Sequence, residues 1–329
     1  MIVRLLLFVI ALAVAAPRPG FADPAPVCAG RDLSQDPSIK PDFVAHADDL
    51  VNGDGLLWKI EKPGLAPSYL YGTIHSTTAA AIRLAGEAAA FIDGAKVVAT
   101  ELGALDSAKK IELSSSMLKA ALSPNDDTFA GVFSANDASS VEAYLQARGY
   151  PSVMSHHLAL WLLAMGASLP ACEAKGQRDG LPEVDQMIAE IGQAHGLPVV
   201  GLESIDEQLQ TLSSTPKQLA ATMLVTSARA PNLDDDAYAT LLSLYVQKRP
   251  SSAIAVVDAI PELTPKERAA ATEFTRRLLV GRNETMLTRA APLLAAGGAF
   301  VAVGALHLVG KDGLIERIRA AGYSVTKLW

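Results

Sequence analysis

Two histidines of this 329-residue chain stand in matched local contexts. Tyr69-Leu70-Tyr71 runs into Gly72-Thr73-Ile74-His75, and Val301-Ala302-Val303 runs into Gly304-Ala305-Leu306-His307. Each is a strand-like apolar run that delivers Gly-x-x-His at its end. A glycine there lets a neighbouring element or ligand approach the backbone closely, and the histidine stands where α/β sheets bind ligands. The bare spacing is weak: six histidines and 24 glycines in 329 residues give fewer than one match by chance, yet there are three. The third, Gly192-Gln193-Ala194-His195, continues the helical spacing of Val184, Ile188 and Ile191, so His195 is expected to end a packing stripe. Context therefore selects His75 and His307 as metal ligands.

Two carboxylates have comparable contexts. Glu101 follows Val97-Val98-Ala99-Thr100, and Glu203 follows Val199-Val200-Gly201-Leu202. Either could be a solvated charge at a sheet rim. If both face the histidines, two imidazoles and two carboxylates suit a borderline divalent ion such as Mn, Fe, Co or Zn. A His₂Glu set would leave one position to water, whose pKa the ion lowers, and the other glutamate could act as general base.

Several other chemistries are closed. There is no HExxH and no GxSxG, which removes a zincin helix and an α/β-hydrolase elbow. Residues 304–311 resemble a phosphate loop, but five residues separate Gly304 from Gly310 where four are needed, and Asp312 replaces the magnesium-binding Ser or Thr. His156 and His157 would point about 100° apart on a helix and cannot easily share one ion, so capping or packing is expected. The two cysteines, Cys28 and Cys172, form no CxxC pair.

These side chains must be positioned by alternating elements. Strands are expected at 56–60 and 69–74, separated by Lys62-Pro63-Gly64, then a helix at 84–92 and a strand at 96–102. Periodicity predicts helices at 107–121, 137–148, 155–168 and 183–195, punctuated by Pro124, Pro151, Pro170 and Pro182. A strand returns at 197–203, several helices follow across 204–296, and 299–305 reads as a buried central strand. A helix at 313–321 and a strand at 323–328 close the chain. The expectation is an α/β fold, with β–α units at both ends of the chain, a helical insert between them and a largely parallel sheet.

The N-terminus predicts the compartment. Arg4, the apolar run at 5–16 and the small-residue site Gly20-Phe21-Ala22 read as a secretory signal peptide cut after Ala22. The apolar run is about a dozen residues, where a spanning helix needs roughly 20, so no membrane span is expected after cleavage. Ala25-Pro26-Val27 before Cys28 does not fit lipidation. Residues 23–55, rich in Pro, Asp and Gly, read as an extension, and 56–329 as one domain. Removing Arg4 and Arg18 with the signal leaves 26 basic against 35 acidic side chains, which moves the formal charge from −7 to −9. Such a chain repels phosphate backbones, and nucleic-acid binding is not expected. An oxidising periplasm favours a Cys28–Cys172 disulfide, which in the chain-entropy model would add about 4–5 kcal/mol.

The runs LLWKIEKPG, SYLYGTIH, VVATEL, VVGLES and FVAVGALHLVG, ending in GYSV, resemble the TraB/GumN family over about 56–329. That family includes the Tiki metal-dependent proteases and is related to erythromycin-esterase-like and haem-binding ChaN-like proteins. The resemblance implies two αβ repeats around a shared sheet, with His75, Glu101 and His307 as the metal and catalytic set. Glu203 matches a strand-end glutamate of the family, and Arg282-Asn283 matches a further Arg-Asn element. Ser76-Thr77-Thr78 follows His75 where relatives often carry Asp or Asn. The implied activity is divalent-metal-dependent hydrolysis of peptides or proteins. The alternative is a non-catalytic accessory protein that binds metal or haem or is associated with polysaccharide.

Overall fold

The computed structural model describes residues 28–39, 50–123, 126–260 and 263–329. The signal peptide expected at 1–22 lies outside them, as does much of the expected extension. Six strands form one sheet in the order β4-β3-β5-β2-β1-β6, where β1 is Leu57–Glu61, β2 Ser68–Thr73, β3 Val97–Thr100, β4 Val199–Gly201, β5 Ala299–Gly304 and β6 Ser324–Lys327. The four strands β4, β3, β5 and β2 are parallel, and β1 runs antiparallel to both β2 and β6. β5 lies at the centre and is buried along Ala299–Val303, which explains its unbroken apolar run.

Among the described residues 13 α-helices surround this mixed α/β sheet. Ala79–Ala89 and Val184–Ala194 pack on one face, around Tyr71, Val98 and Phe300. On the other face Met286, Ala290 and Leu294 of the 32-residue helix Pro265–Ala296 meet Leu70, Val301 and Val303. That helix starts sharply because Thr264 and Glu267 form a reciprocal capping box and Pro265 stands at its first position. A separate core joins the helices Ala135–Ala147, Leu160–Ser168 and Lys217–Arg229 through Leu145, Leu163 and Leu224.

The helical boundaries differ from periodicity in specific places. The predicted helix at 155–168 is split into Ser152–Ser155 and Leu160–Ser168, because Leu158 bridges Leu122 and the Ala159 N–H donates to the Ala121 carbonyl. Ala171–Arg178 is a helix that periodicity passed over, its polar composition and Gly176 giving no apolar stripe. The expected helix at 84–92 begins earlier, at Ala79. No described helix is long and apolar enough to cross a membrane.

Cys28 and Cys172 are joined, with Cα atoms 5.2 Å apart. Arg31 reinforces that tether by a two-point pair with the buried Asp236 carboxylate. A disulfide and the lack of a spanning helix among the described residues are compatible with a periplasmic or extracellular location.

Candidate functional site

The parallel register carries the candidate residues to one edge. Thr73 pairs Gly304 across β2 and β5, Thr100 pairs Ala302 across β3 and β5, and Thr100 pairs Gly201 across β3 and β4. His75, Glu101, Glu203 and His307 therefore all emerge past the C-terminal ends of four adjacent strands, the place where parallel sheets present ligand sites. Past the strands the ladder continues, with the Glu203 N–H donating to the Glu101 carbonyl at 2.8 Å.

Both motif glycines are required by close approach. A Cβ on Gly72 would lie 3.0 Å from Cα and Cβ of Ala305, in the 3₁₀ turn Ala305–His307 that aims the second histidine. A Cβ on Gly304 would lie 3.2 Å from Glu101 Oε1 and 3.4 Å from the His307 ring. Instead, the Gly304 N–H donates to Glu101 Oε1 at 2.8 Å.

Glu101, Glu203 and His307 are buried and meet through the long helix. Arg282 Nη2 donates to Glu101 Oε2 at 2.5 Å and to Glu203 Oε2 at 2.6 Å, and Arg282 Nε donates to Glu203 Oε1 at 2.9 Å. Gln208 Nε2 adds a bond to Glu101 Oε2 at 3.0 Å. Asn283, the next residue, orients the histidine: its Oδ1 lies 2.7 Å from His307 Nδ1, while its Nδ2 donates to the Asp312 carbonyl. With the amide assigned that way round, Nδ1 must be the protonated nitrogen of a neutral ring. Nε2 is then an acceptor, 3.8 Å from Glu101 Oε1.

The electrostatics agree with this assignment. Burial pushes His307 down to about 4, with the Arg282 and His75 charges acting in the same direction against the pull of Glu101. Burial opposes ionisation of Glu101, but His75, Arg282 and His307 together with the Gly304 N–H hold its carboxyl down at about 2. Glu101 and Glu203 thus share the Arg282 guanidinium beside a neutral imidazole, with the His75 charge acting on Glu101 from the adjacent loop.

His75 is placed differently. Its side chain is 64% exposed where that of His307 is 4% exposed, and its Nδ1 faces Asp185 Oδ2 at 3.2 Å and Glu183 Oε2 at 3.5 Å. The Asp185 charge, with Glu183 behind it, raises the His75 pKa well above its ordinary value despite desolvation. Thr73 Oγ1 donates to Asp185 Oδ1 at 2.8 Å, while Asp185 Oδ2 is buried without a hydrogen bond. Among the described residues no group of three or more His, Cys, Asp and Glu side chains is gathered closely enough to hold a metal. Glu101 Oε1 and His307 Nε2 face each other at 3.8 Å, and His75 lies on the adjacent loop.

Sequence reasoning missed Gln208, Asp185 and Glu183. The last two open the helix Val184–Ala194 just after Pro182, a position that favours acids but does not reveal what they face. Glu173 was also missed. It is buried, accepts from Ser76 Oγ, the Thr77 N–H and Thr77 Oγ1, and is bonded by Tyr238, so it fixes the loop that follows His75.

The remaining histidines lie elsewhere. His195 caps a helix C-terminus beside Asp93, 3.4 Å away, and Gly192 of the same pattern packs against Val98. His156 stacks on Phe129 and bridges Asp127 and Glu142, while His157 faces the Asp126 carbonyl.

A family model described as the TraB/PrgY/gumN family matches residues 56–327. No curated protein and no solved structure matches the chain.

Proposed function

The chain belongs to the TraB/PrgY/gumN family, and on that premise we propose that it is an exported, divalent-metal-dependent hydrolase of peptides. The observation that supports this reading is the facing pair Glu101 Oε1 and His307 Nε2. Both are acceptors, 3.8 Å apart and buried. A divalent ion (Mn, Co, Fe or Zn) would be held by His307 and Glu101, with His75 as the third donor. Bound there, it would supply Lewis acidity toward water and a peptide carbonyl.

The chain's own groups do the rest. Asn283 keeps the Nε2 lone pair of His307 available by holding the proton on Nδ1. Arg282 lets Glu101 and Glu203 stay adjacent without mutual repulsion and presents a fixed cation near any developing negative charge. Glu203 lies against Arg282 with both oxygens, which suits a carboxylate that positions the arginine, and Glu101 is the one whose second oxygen faces His307.

The same arginine favours a second reading. With three of four carboxylate oxygens occupied by Arg282, the site offers an ion few free donors, as in an accessory protein that binds a metal without turnover. Elemental analysis of protein purified without a nickel column, followed by Mn, Co or Zn reconstitution and a peptide library, separates the two. Stoichiometric metal with cleavage supports the hydrolase. Stoichiometric metal without cleavage supports the accessory protein, and no metal from any source overturns both.

A further inference from the structure

The helical insert contains a cavity that this site does not use. It is open to solvent and has a volume of about 530 Å³, within the range of roughly 300–1,000 Å³ for small-ligand pockets. Its walls come from the helices Ser107–Ala121, Leu160–Ser168 and Ala171–Arg178 and from the loop before Met154. Met117, Met154, Met165, Leu158 and Trp161 line its body.

One residue of the cavity wall also touches His75. Gln177 and Glu183 belong to its lining, and Gln177 Nε2 donates to Glu183 Oε1 at 2.8 Å. The other oxygen of the same carboxylate, Oε2, lies 3.5 Å from His75 Nδ1. A single side chain is therefore shared by the cavity wall and the exposed histidine at the sheet edge. The disulfide fixes this wall, since Cys172 lies between Ala171 and Ala174, both of which line the cavity.

We infer that the cavity is a specificity pocket that takes a bulky apolar side chain of a peptide whose backbone lies at His75. The assignment of a peptide rests on the hydrolase reading above. An apolar side chain is favoured because the body of the cavity offers thioethers, aliphatics and an indole, and a buried charge without a partner is costly. Two arginines also line the cavity: Arg148 is held by the Pro231 carbonyl at 3.0 Å and by Asp235, and Arg178 is exposed. Methionines are unbranched and polarisable, so the pocket should accept leucine, phenylalanine and tryptophan alike while excluding aspartate.

The test reads binding separately from cleavage, on the full chain. Short fluorescein-labelled peptides that differ only at a central Gly, Asp, Leu, Phe or Trp are titrated by anisotropy and, in parallel, incubated with Mn for cleavage. The Leu, Phe and Trp peptides are expected to bind about ten-fold or more tightly than the Gly and Asp peptides. Ala174→Trp, which fills the wall beside Gln177, should erase that preference with an unchanged unfolding temperature. Met154→Ala, on a partly exposed stretch of the lining, should shift it toward Trp, and it carries the test if Ala174→Trp does not fold. Equal binding of all five peptides overturns the pocket, as does a preference that survives both substitutions. Dodecanoate binding with no peptide preference would mean an acyl ligand and overturns it too. Preferred binding without cleavage sinks only the hydrolase reading, whereas cleavage without preference sinks only the pocket.

Discussion

Asn283 Oδ1 lies 2.7 Å from His307 Nδ1 and fixes which nitrogen of that imidazole is free. Replacing Asn283 by Leu keeps the volume but removes the acceptor. Divalent-ion affinity, measured calorimetrically with Mn or Zn, should fall about 10–100-fold. Asn283→Asp still accepts from Nδ1 and should bind nearly as the wild type does. Equal loss in both variants would mean that the acceptor facing Nδ1 is not what sets the affinity.

His75→Ala and His307→Ala should each abolish stoichiometric ion binding with the fold intact, whereas His195→Ala should bind normally. His195 sits at the end of a helix beside Asp93, away from the sheet edge. Elemental analysis with circular dichroism checks this. Loss in all three variants, or in none, would sink the assignment.

Glu101→Gln should lower turnover by about two orders of magnitude or more on any peptide that is cut. It replaces the oxygen that faces His307 at nearly constant shape and breaks the charge pairing with Arg282. Glu203→Gln keeps an acceptor for Arg282 and should cost less. If Glu203→Gln is the more damaging in single-turnover kinetics, the two glutamates have exchanged roles.

His307 should leave a signature in stability against pH. Its folded pKa is lowered to about 4 from the ordinary 6.5. The unfolded chain therefore binds this proton from near pH 6.5 downward, while the folded ion-free chain resists until about pH 4. The stability contribution of the neutral ring is present above pH 6.5 and lost as pH falls toward 4, by about 3 kcal/mol. Denaturant titrations of wild type and His307→Gln, compared at each pH, cancel the other groups. A difference independent of pH across that window would refute the neutral buried imidazole.

The Cys28–Cys172 bond spans 144 residues and should stabilise the chain by about 5 kcal/mol in the chain-entropy model. Cys28→Ser and Cys172→Ser should each lower stability by a similar amount. Thiol titration of the unreduced protein under denaturing conditions should find almost no free sulfhydryl. Two thiols per chain would exclude the bond.

Much of the scaffold was legible because local patterns encode it. The unbroken apolar run of β5 announced a strand buried on both faces, and the Gly-x-x-His endings of β2 and β5 announced the sheet edge. The strand-end glutamates were legible for the same reason, as was the helical setting that set His195 apart. The helix Ala171–Arg178 escaped because helical propensity without an apolar stripe leaves no period to read. The break at Leu158 escaped because a backbone bridge to Leu122 depends on a partner 36 residues away.

The sequence by itself determined which residues stand at strand ends, since alternation and length are properties of a few neighbouring residues. Only the tertiary structure decided how those residues are used. Arg282 reaches Glu101 across 181 positions and Glu203 across 79, joining the two carboxylates instead of leaving them as independent donors. His75 and His307 carry the same local motif, yet one is exposed beside Asp185 and Glu183 and the other is buried against Asn283. Exposure and charged partners come from helices packed over the sheet edge, and they separate the two pKa values in opposite directions. A four-residue motif fixes where an imidazole leaves the backbone, while the surrounding charges and solvent access that set its protonation come from distant parts of the chain.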